Sequence, residues 1–275
     1  THVAGTAVGT TYGWAKKARI YSVKLSGLEG TGDTGTGISA TDAFNVIEAW
    51  HNSKSIDSVT GYKRPTIVNM SWGSYQSIGS DFTAITSINY RGTTYNTYND
   101  ARWHESLSYM AETYGMISDK GADNNFHFQA TTASVDTDIE EMITAGIHVI
   151  IGAGNSSFKF DVSTGVDWNN TATFGGENGY YHQSGSPYSA GSIKVGSIDS
   201  SPYSAATEQI SNFSVRGAGV DIFAPGSFIR SAMSTTNDHS DFASTYYLNP
   251  SYKQGTISGT SMASPQVCGL AATVL

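Results

Sequence analysis

Residues 147–151, Ile-His-Val-Ile-Ile, form a nearly continuous apolar run that stops at Gly152-Ala153-Gly154-Asn155. A strand with one wet face alternates apolar and polar residues. An uninterrupted apolar strand is covered on both faces, which is the condition of a parallel strand inside an α/β sheet. The residues before it agree: 136–144 reads as a helix with Ile139, Met142 and Ile143 on one side, closed by Gly146.

Further elements repeat the alternation. Residues 17–25 alternate and are rich in β-formers, so a strand is expected there. Ser39-Ala40-Thr41-Asp42 has the pattern of a helix cap, leading into an apolar face of Ala43, Val46, Ile47 and Trp50. A second strand is predicted from Pro65 to Met70, ending at Ser71-Trp72-Gly73, and short strands over 192–198 and 219–223, the last running into Ala224-Pro225-Gly226. Strands and helices in this order predict an α/β chain, a mostly parallel sheet with helices on both faces. In such sheets the working crevice lies at the carboxyl ends of the strands. Two stretches, about 75–135 and 156–185, do not fit. They are polar and aromatic, with little periodicity apart from a helix near 101–114, and read as insertions rising around the crevice. Neither carries charge runs, repeats or linker composition, so one domain over residues 1–275 is expected.

Bulk properties exclude some partners. The net charge is −8, and none of the 15 Lys and Arg residues stands in a run longer than two, which argues against nucleic acid. No stretch approaches the roughly 18 consecutive apolar residues of a membrane-spanning helix. Cys268 is the single cysteine, so no internal disulfide can form, and it reads as a small buried apolar residue.

Near the C-terminal end stands Gly259-Thr260-Ser261-Met262-Ala263-Ser264-Pro265. A small-residue loop over 254–260 is expected to run into a helix over 262–275, placing Ser261 in the first helical turn. There unpaired backbone N–H groups face any negative charge forming beside its hydroxyl. Gly259 and Ala263 are small enough to admit a peptide backbone. Alone, such a serine is usually a plain cap. Thr1-His2-Val3-Ala4-Gly5-Thr6 opens the chain with a histidine followed by small residues that suit a helix packed closely on a neighbour. A lone histidine is more often structural, and Asn155 alone would be a turn former.

Taken together and in this order, T-H-V-A-G-T, G-A-G-N and G-T-S-M-A-S-P resemble the subtilisin-like serine proteases, the subtilases. Tyr21-Ser22-Val23-Lys24, Val68-Asn69-Met70-Ser71-Trp72-Gly73 and Phe223-Ala224-Pro225-Gly226 look like that family's strand ends. The resemblance covers nearly the whole chain except the two insertions. It implies a three-layer subtilisin-like fold and a serine endopeptidase. Ser261 would be the nucleophile, His2 the base, and Asn155 an oxyanion donor beside the Ser261 backbone N–H. Substrate would lie extended between Gly30-Thr31-Gly32 and Ser71-Trp72-Gly73, with Trp72 narrowing a neighbouring subsite. Ala153 and Gly154 would wall a primary specificity pocket, roomy because both are small. The implied partner is a polypeptide substrate, with a propeptide inhibitor as a second; oligomeric state stays open. Export from the cell is expected on the same ground. Many subtilases bind structural calcium through carboxylates and carbonyls. Asp161 and Asp167 have no spacing that assigns such a site, so no cofactor and no metal ligand are assigned.

The family's triad runs Asp, His, Ser, and only Thr1 precedes His2 in this chain. The aspartate is therefore expected upstream, the chain being the central part of a longer subtilase cut at both ends. Alone it should be very weakly active, since loss of the triad aspartate lowers turnover about 3 × 10⁴-fold in subtilisin. Asp33-Thr34-Gly35 looks like the family's aspartate motif but follows His2, and an aspartic protease would need a second copy. Gly30, Gly32 and Gly35 match a dinucleotide fingerprint, but in a loop too long to join strand and helix tightly. The alternative function is a catalytically silent subtilase-like module that binds polypeptide or serves as structure. A sedolisin-type peptidase ranks third, because it has an acid where His2 stands.

Overall fold

The computed structural model describes residues 1–25, 37–117, 125–199, 208–235 and 243–275. The first half contains α1 (His2–Val8), α2 (Ala40–Asn52), β1 (Ile67–Met70), β2 (Tyr75–Gly79), β3 (Ile85–Tyr90), β4 (Thr93–Tyr95), α3 (Leu107–Tyr114), β5 (Phe126–Gln129) and α4 (Ala133–Thr144). The second contains β6 (His148–Gly152), β7 (Thr171–Phe174), β8 (Glu177–Tyr180), β9 (Ile193–Asp199), β10 (Gln209–Ile210), β11 (Ile222–Pro225), β12 (Ile229–Met233), β13 (Ala243–Thr245), β14 (Lys253–Ile257) and α5 (Thr260–Val274).

β1, β6 and β9 lie side by side and parallel, and β11 adds to β9 in parallel while β10 adds antiparallel. The apolar run in β6 is covered from both sides, as its composition requires. Val149 and Ile151 pack with Phe44 of α2 and Val135, Ile139 and Met142 of α4. Ile150, one residue out of phase, packs on the opposite face with Val195 and with Ala263, Val267 and Cys268 of α5. Each such side chain contributes roughly 1.5–3 kcal/mol on burial. The expected three layers follow: α2 and α4, the sheet, then α5.

Local signals hold where they are chemical. Ser39 caps α2, its Oγ accepting from the Asp42 amide at 3.0 Å. α1 forms after the opening threonine, and its small residues allow contact: a β-carbon on Gly5 would lie 2.4 Å from Ser231 Oγ.

Four expectations need correction. Residues 17–25 are not a strand; Ile20, Tyr21 and Val23 are exposed, and Tyr21 rests on Trp50 with ring centroids 4.6 Å apart. A strand exists only by pairing, and among the described residues this segment finds no partner. The buried face of α2 is Ala43, Phe44 and His51, while Val46 and Trp50 face outward, because α4 lies against the Phe44 side. The small residues 253–257 are a strand, β14, between β12 and β13; small side chains suit it because α1 packs on this hairpin. α4 begins at Ala133, three residues earlier than expected.

The aromatic stretches are also more ordered than their periodicity suggests. β2 pairs with β5, and β4-β3-β7-β8 form an antiparallel sheet whose members come from both stretches. Together with α3 they enclose a core of their own, including Ile85, Ile88, Met110, Tyr114, Phe126 and Phe128. The link between the two stretches is ionic as well: Asp167 pairs with Arg91 at 2.6 Å and with Lys159.

Candidate active site

Gly259 precedes α5 with φ +154°, a backbone conformation in the region that only glycine adopts easily. The turn it makes aims the first peptide units of α5 back at the end of β6. Asn155 Oδ1 accepts from the Thr260 amide at 2.8 Å and from Thr260 Oγ1 at 3.0 Å, and Thr260 Oγ1 in turn accepts from the Gly154 amide at 3.1 Å. Packing is close enough that a β-carbon on Gly152 would sit 3.2 Å from the Thr260 carbonyl. Thr260 thereby fixes the Asn155 carboxamide by its oxygen and leaves its NH₂ without a hydrogen-bond partner among the described residues, on an exposed side chain.

Ser261 is held by a second device. Pro265 lies inside α5 and lacks the N–H that would satisfy the carbonyl four residues earlier, that of Ser261. The Ser71 hydroxyl replaces it, donating to Ser261 O at 2.9 Å, and Ser261 Oγ donates back to Ser71 O at 3.1 Å. Ser71 Oγ also meets Ser264 Oγ at 3.0 Å and accepts from Asn69 Nδ2 at 2.9 Å. The end of β1 and the start of α5 are thus tied to each other. Past this tie the Trp72 and Gly73 backbone makes no backbone hydrogen bond among the described residues, and Gly73 is exposed. The Trp72 ring stacks on Phe44, centroids 6.4 Å apart, and so lies against the core under α2.

His2 opens α1, which packs along α5: a β-carbon on Gly269 would lie 2.7 Å from the Ala7 carbonyl, and Trp14 Nε1 donates to Gln266 Oε1 at 2.6 Å. The histidine is 6 % exposed, and burial lowers its pKa from the ordinary value, so the ring is neutral near pH 7. Nε2 donates to the Ile229 carbonyl at 2.9 Å, whereas Nδ1 is buried with no hydrogen-bond partner among the described residues. Donation from Nε2 puts the proton on the nitrogen that a general base needs free. Ser261 and His2 lie at the starts of neighbouring helices but are not hydrogen-bonded to each other.

Ala153 and Gly154 sit at the end of β6, with Ala153 N bonded to Val195 O at 2.9 Å. Their smallness does not leave empty space. Tyr75, which begins β2 two residues after Gly73, donates its hydroxyl to Ala153 O at 3.0 Å. A β-carbon on Gly154, whose φ is +110°, would lie 2.4 Å from that hydroxyl oxygen. Sequence reading passed over Tyr75 among many tyrosines. It also passed over the Ser71 tie, for which Pro265 four residues after Ser261 was the available signal. Gly30, Thr31 and Gly32 lie outside the described residues, as do Asp33 and Gly35.

The model of the subtilase family, peptidase S8, matches residues 1–275. This chain belongs to the subtilase family. Similar proteins include a subtilisin-like protease of Pseudogymnoascus destructans, 25 % identical over 275 residues, covering 100 % of this chain and 42 % of the relative. Another is an extracellular serine proteinase of a Thermus species, 26 % identical over 279 residues, covering 100 % of this chain and 40 % of the relative. Among solved structures, a cold-adapted subtilisin-like serine proteinase superposes with a TM-score of 0.52 at 24 % identity, covering 100 % of this chain and 60 % of that one. The subtilase chain therefore spans about two fifths of the length of those curated relatives. Asp161 and Asp167 are buried and turned inward: Asp161 accepts from the Val162 and Asp167 amides, and Asp167 is neutralised by Arg91 and Lys159. Among the described residues no three His, Cys, Asp or Glu side chains converge as a metal site. No described helix is long and apolar enough to cross a membrane.

Proposed function

We propose that the protein is a serine endopeptidase that cleaves peptide bonds with Ser261 as nucleophile, His2 as general base and Asn155 as oxyanion donor. The observation that carries this reading is the Asn155 carboxamide, locked through its oxygen by Thr260 so that its NH₂ is free beside the N-terminal end of α5. Attack of Ser261 Oγ on a carbonyl forms an oxyanion. The Asn155 NH₂ and the Ser261 amide are the donors for it, preorganised at no further reorganisation cost. The Nδ1 of His2, buried and without a hydrogen-bond partner among the described residues, is consistent with a triad carboxylate upstream of this chain, as the family resemblance implies. A carboxylate at Nδ1 moves the ring proton there and frees Nε2 to take the Ser261 proton, which then passes to the leaving amine.

Substrate would lie along the free Trp72–Gly73 backbone as an added strand. Tyr75 crosses from that rim to the Ala153–Gly154 wall, so the reading includes a preference for small side chains at the residue whose carbonyl is attacked. Secretion is part of the proposal, supported by the name of the Thermus relative. The test is fluorophosphonate labelling of the full-length protein, together with cleavage of a peptide library before and after Ser261→Ala. Labelling and cleavage that vanish in the variant are expected. A full-length protein that neither labels nor cleaves leaves the second reading, a silent polypeptide-binding module. That reading is favoured by one observation: Ser261 Oγ and His2 Nε2 are both occupied by main-chain carbonyls.

A further inference from the structure

Far along the sequence from Ser261, where the β3–β4 hairpin meets α3, the insertion sheet holds a cavity of about 210 Å³. Its walls include Tyr90, Tyr95, Asp100, Tyr109 and Tyr114. Tyr90, Tyr95 and Tyr109 stand around Tyr114 edge-on or tilted, with ring centroids 6.0, 5.0 and 6.2 Å from it. Aromatic faces carry negative charge density, so a small space walled by several of them favours a cation. These rings already act in that way: the Arg91 guanidinium lies 4.8 Å from the Tyr90 centroid and that of Arg102 lies 4.3 Å from Tyr109.

Asp100 brings a formal charge to the same wall. Burial works against its ionised form, but the Tyr114 hydroxyl, the Arg102 amide and the Tyr109 hydroxyl together hold its pKa below the ordinary carboxylate value. Among the described residues no cation forms an ion pair with it. The two nearby arginines each have a carboxylate of their own, Asp167 for Arg91 and Glu105 for Arg102. Asp100 therefore has no ion pair of its own among the described residues, and the Arg102 guanidinium acts on it only at longer range.

Its hydrogen-bonding capacity, by contrast, is mostly used. Oδ1 accepts from the Arg102 amide at 2.9 Å and the Tyr109 hydroxyl at 3.1 Å, and Oδ2 accepts from the Tyr109 hydroxyl at 3.1 Å and the Tyr114 hydroxyl. The Tyr109 hydroxyl has one hydrogen to share between the two oxygens, so three donors occupy three of the roughly four lone-pair sites of the carboxylate. A primary ammonium entering here would bring three N–H donors to a carboxylate with about one vacant acceptor site. A quaternary ammonium brings charge and methyl groups but no N–H, matching a site with a carboxylate, aromatic walls and little spare hydrogen-bonding capacity. The size agrees, since the cavity is smaller than the roughly 300–1,000 Å³ of pockets for drug-sized ligands. We propose that this cavity binds a methylated ammonium head group, of the kind that choline carries.

The experiment is a titration of the protein with choline chloride, read by tyrosine fluorescence at constant ionic strength. It is run beside 3,3-dimethylbutan-1-ol, which has the same shape and no charge. Saturable binding of choline, at least about tenfold tighter than the alcohol, is expected. Asp100→Asn should abolish that preference. Tyr95→Leu, at a half-buried position, should weaken choline binding without touching Asp100, and keeps the test open if the first variant does not fold. Choline that fails to saturate, or binds no tighter than its neutral isostere in the unmodified protein, overturns the proposal. Sedimentation with phosphatidylcholine vesicles separates the sources. Capture on them and not on phosphatidylglycerol assigns a lipid head group; choline binding without capture assigns a soluble ligand.

Discussion

In the parallel sheet Ile150 lies among Val195, Ala263 and Val267, with no polar atom to satisfy; in the insertion Tyr114 is as deeply buried, but its hydroxyl needs Asp100. The sheet is held by aliphatic side chains that fit anywhere the volume is right. The insertion adds to its Ile, Met and Phe side chains the buried rings of Tyr114 and Tyr181, whose hydroxyls fit only where a partner waits. This difference separates the scaffold of the candidate chemistry, at the ends of β1 and β6 and the start of α5, from a region shaped for recognition. It also says how each should fail when altered.

The sharpest separation is Ser261→Ala. It removes a hydroxyl whose contact is one hydrogen bond to Ser71 O, so both cores should survive. Turnover of the full-length enzyme should fall about 10⁶-fold, the scale of losing a triad serine. The thermal midpoint should move by no more than about 2 °C. A large drop in midpoint would mean that the Ser71–Ser261 tie is mainly structural, and the division between chemistry and scaffold would be misplaced.

Phe126→Ala attacks the other region. The ring is fully buried in the insertion core and its loss should destabilise by about 3–5 kcal/mol. Hydrogen exchange should accelerate in β2–β5 and β7–β8 while Val149 to Ile151 stay protected. If β6 loses protection equally, the regions unfold as one unit and the contrast drawn from their cores does not extend to stability.

Asn155 stands where the two requirements meet, since its oxygen is structural and its NH₂ chemical. Asn155→Asp keeps an acceptor for Thr260 and deletes the donor. Steady-state kinetics should show kcat down about 10²–10³-fold with KM little changed. Retained activity would assign the residue to the turn alone.

The same contrast explains what was legible in the sequence. The β6 strand, the Ser39 cap and the helix at Ser261 were readable because each obeys a local rule: a double-covered apolar run, a side-chain cap, a small-residue turn before a helix. Tyr75 and the Ser71 tie were not, because their meaning lies in partners 78 and 190 residues away. The strands of the insertion were hidden for a related reason. β7 alternates Thr with Ala and Phe, but β3 places Thr86 and Ser87 together between Ile85 and Ile88 at a register shift, and the pairing of the two strands is set by each other across the chain. Residues 17–25 differ in the opposite direction, with strand composition and no strand beside them among the described residues.

Each region also buries a charged group with a depressed pKa, Asp167 in the insertion and Lys194 in the sheet, and both should make stability rise with pH, in separate windows. Asp167, paired first by Arg91 and then by Lys159, has a pKa far below the ordinary carboxylate value. Its folded-state pKa is depressed, so its contribution is fully present above about pH 4, the unfolded value, and is lost as pH falls below that. Lys194 in β9 lies over the Tyr188 ring, centroid 4.9 Å away, with no ion pair among the described residues; burial lowers its pKa from 10.5 to about 8. Between pH 8 and 10.5 the unfolded chain holds that proton and the folded chain does not, so stability should rise with pH across this window. The rise should be on the order of 3 kcal/mol at most. Urea unfolding from pH 3 to 10.5 reads both limbs. Asp167→Asn should flatten the acid limb alone and Lys194→Met the alkaline limb alone. An alkaline rise that persists in Lys194→Met would show that another group titrates there, and that the parallel sheet tolerates a charged Lys194 through its Tyr188 face.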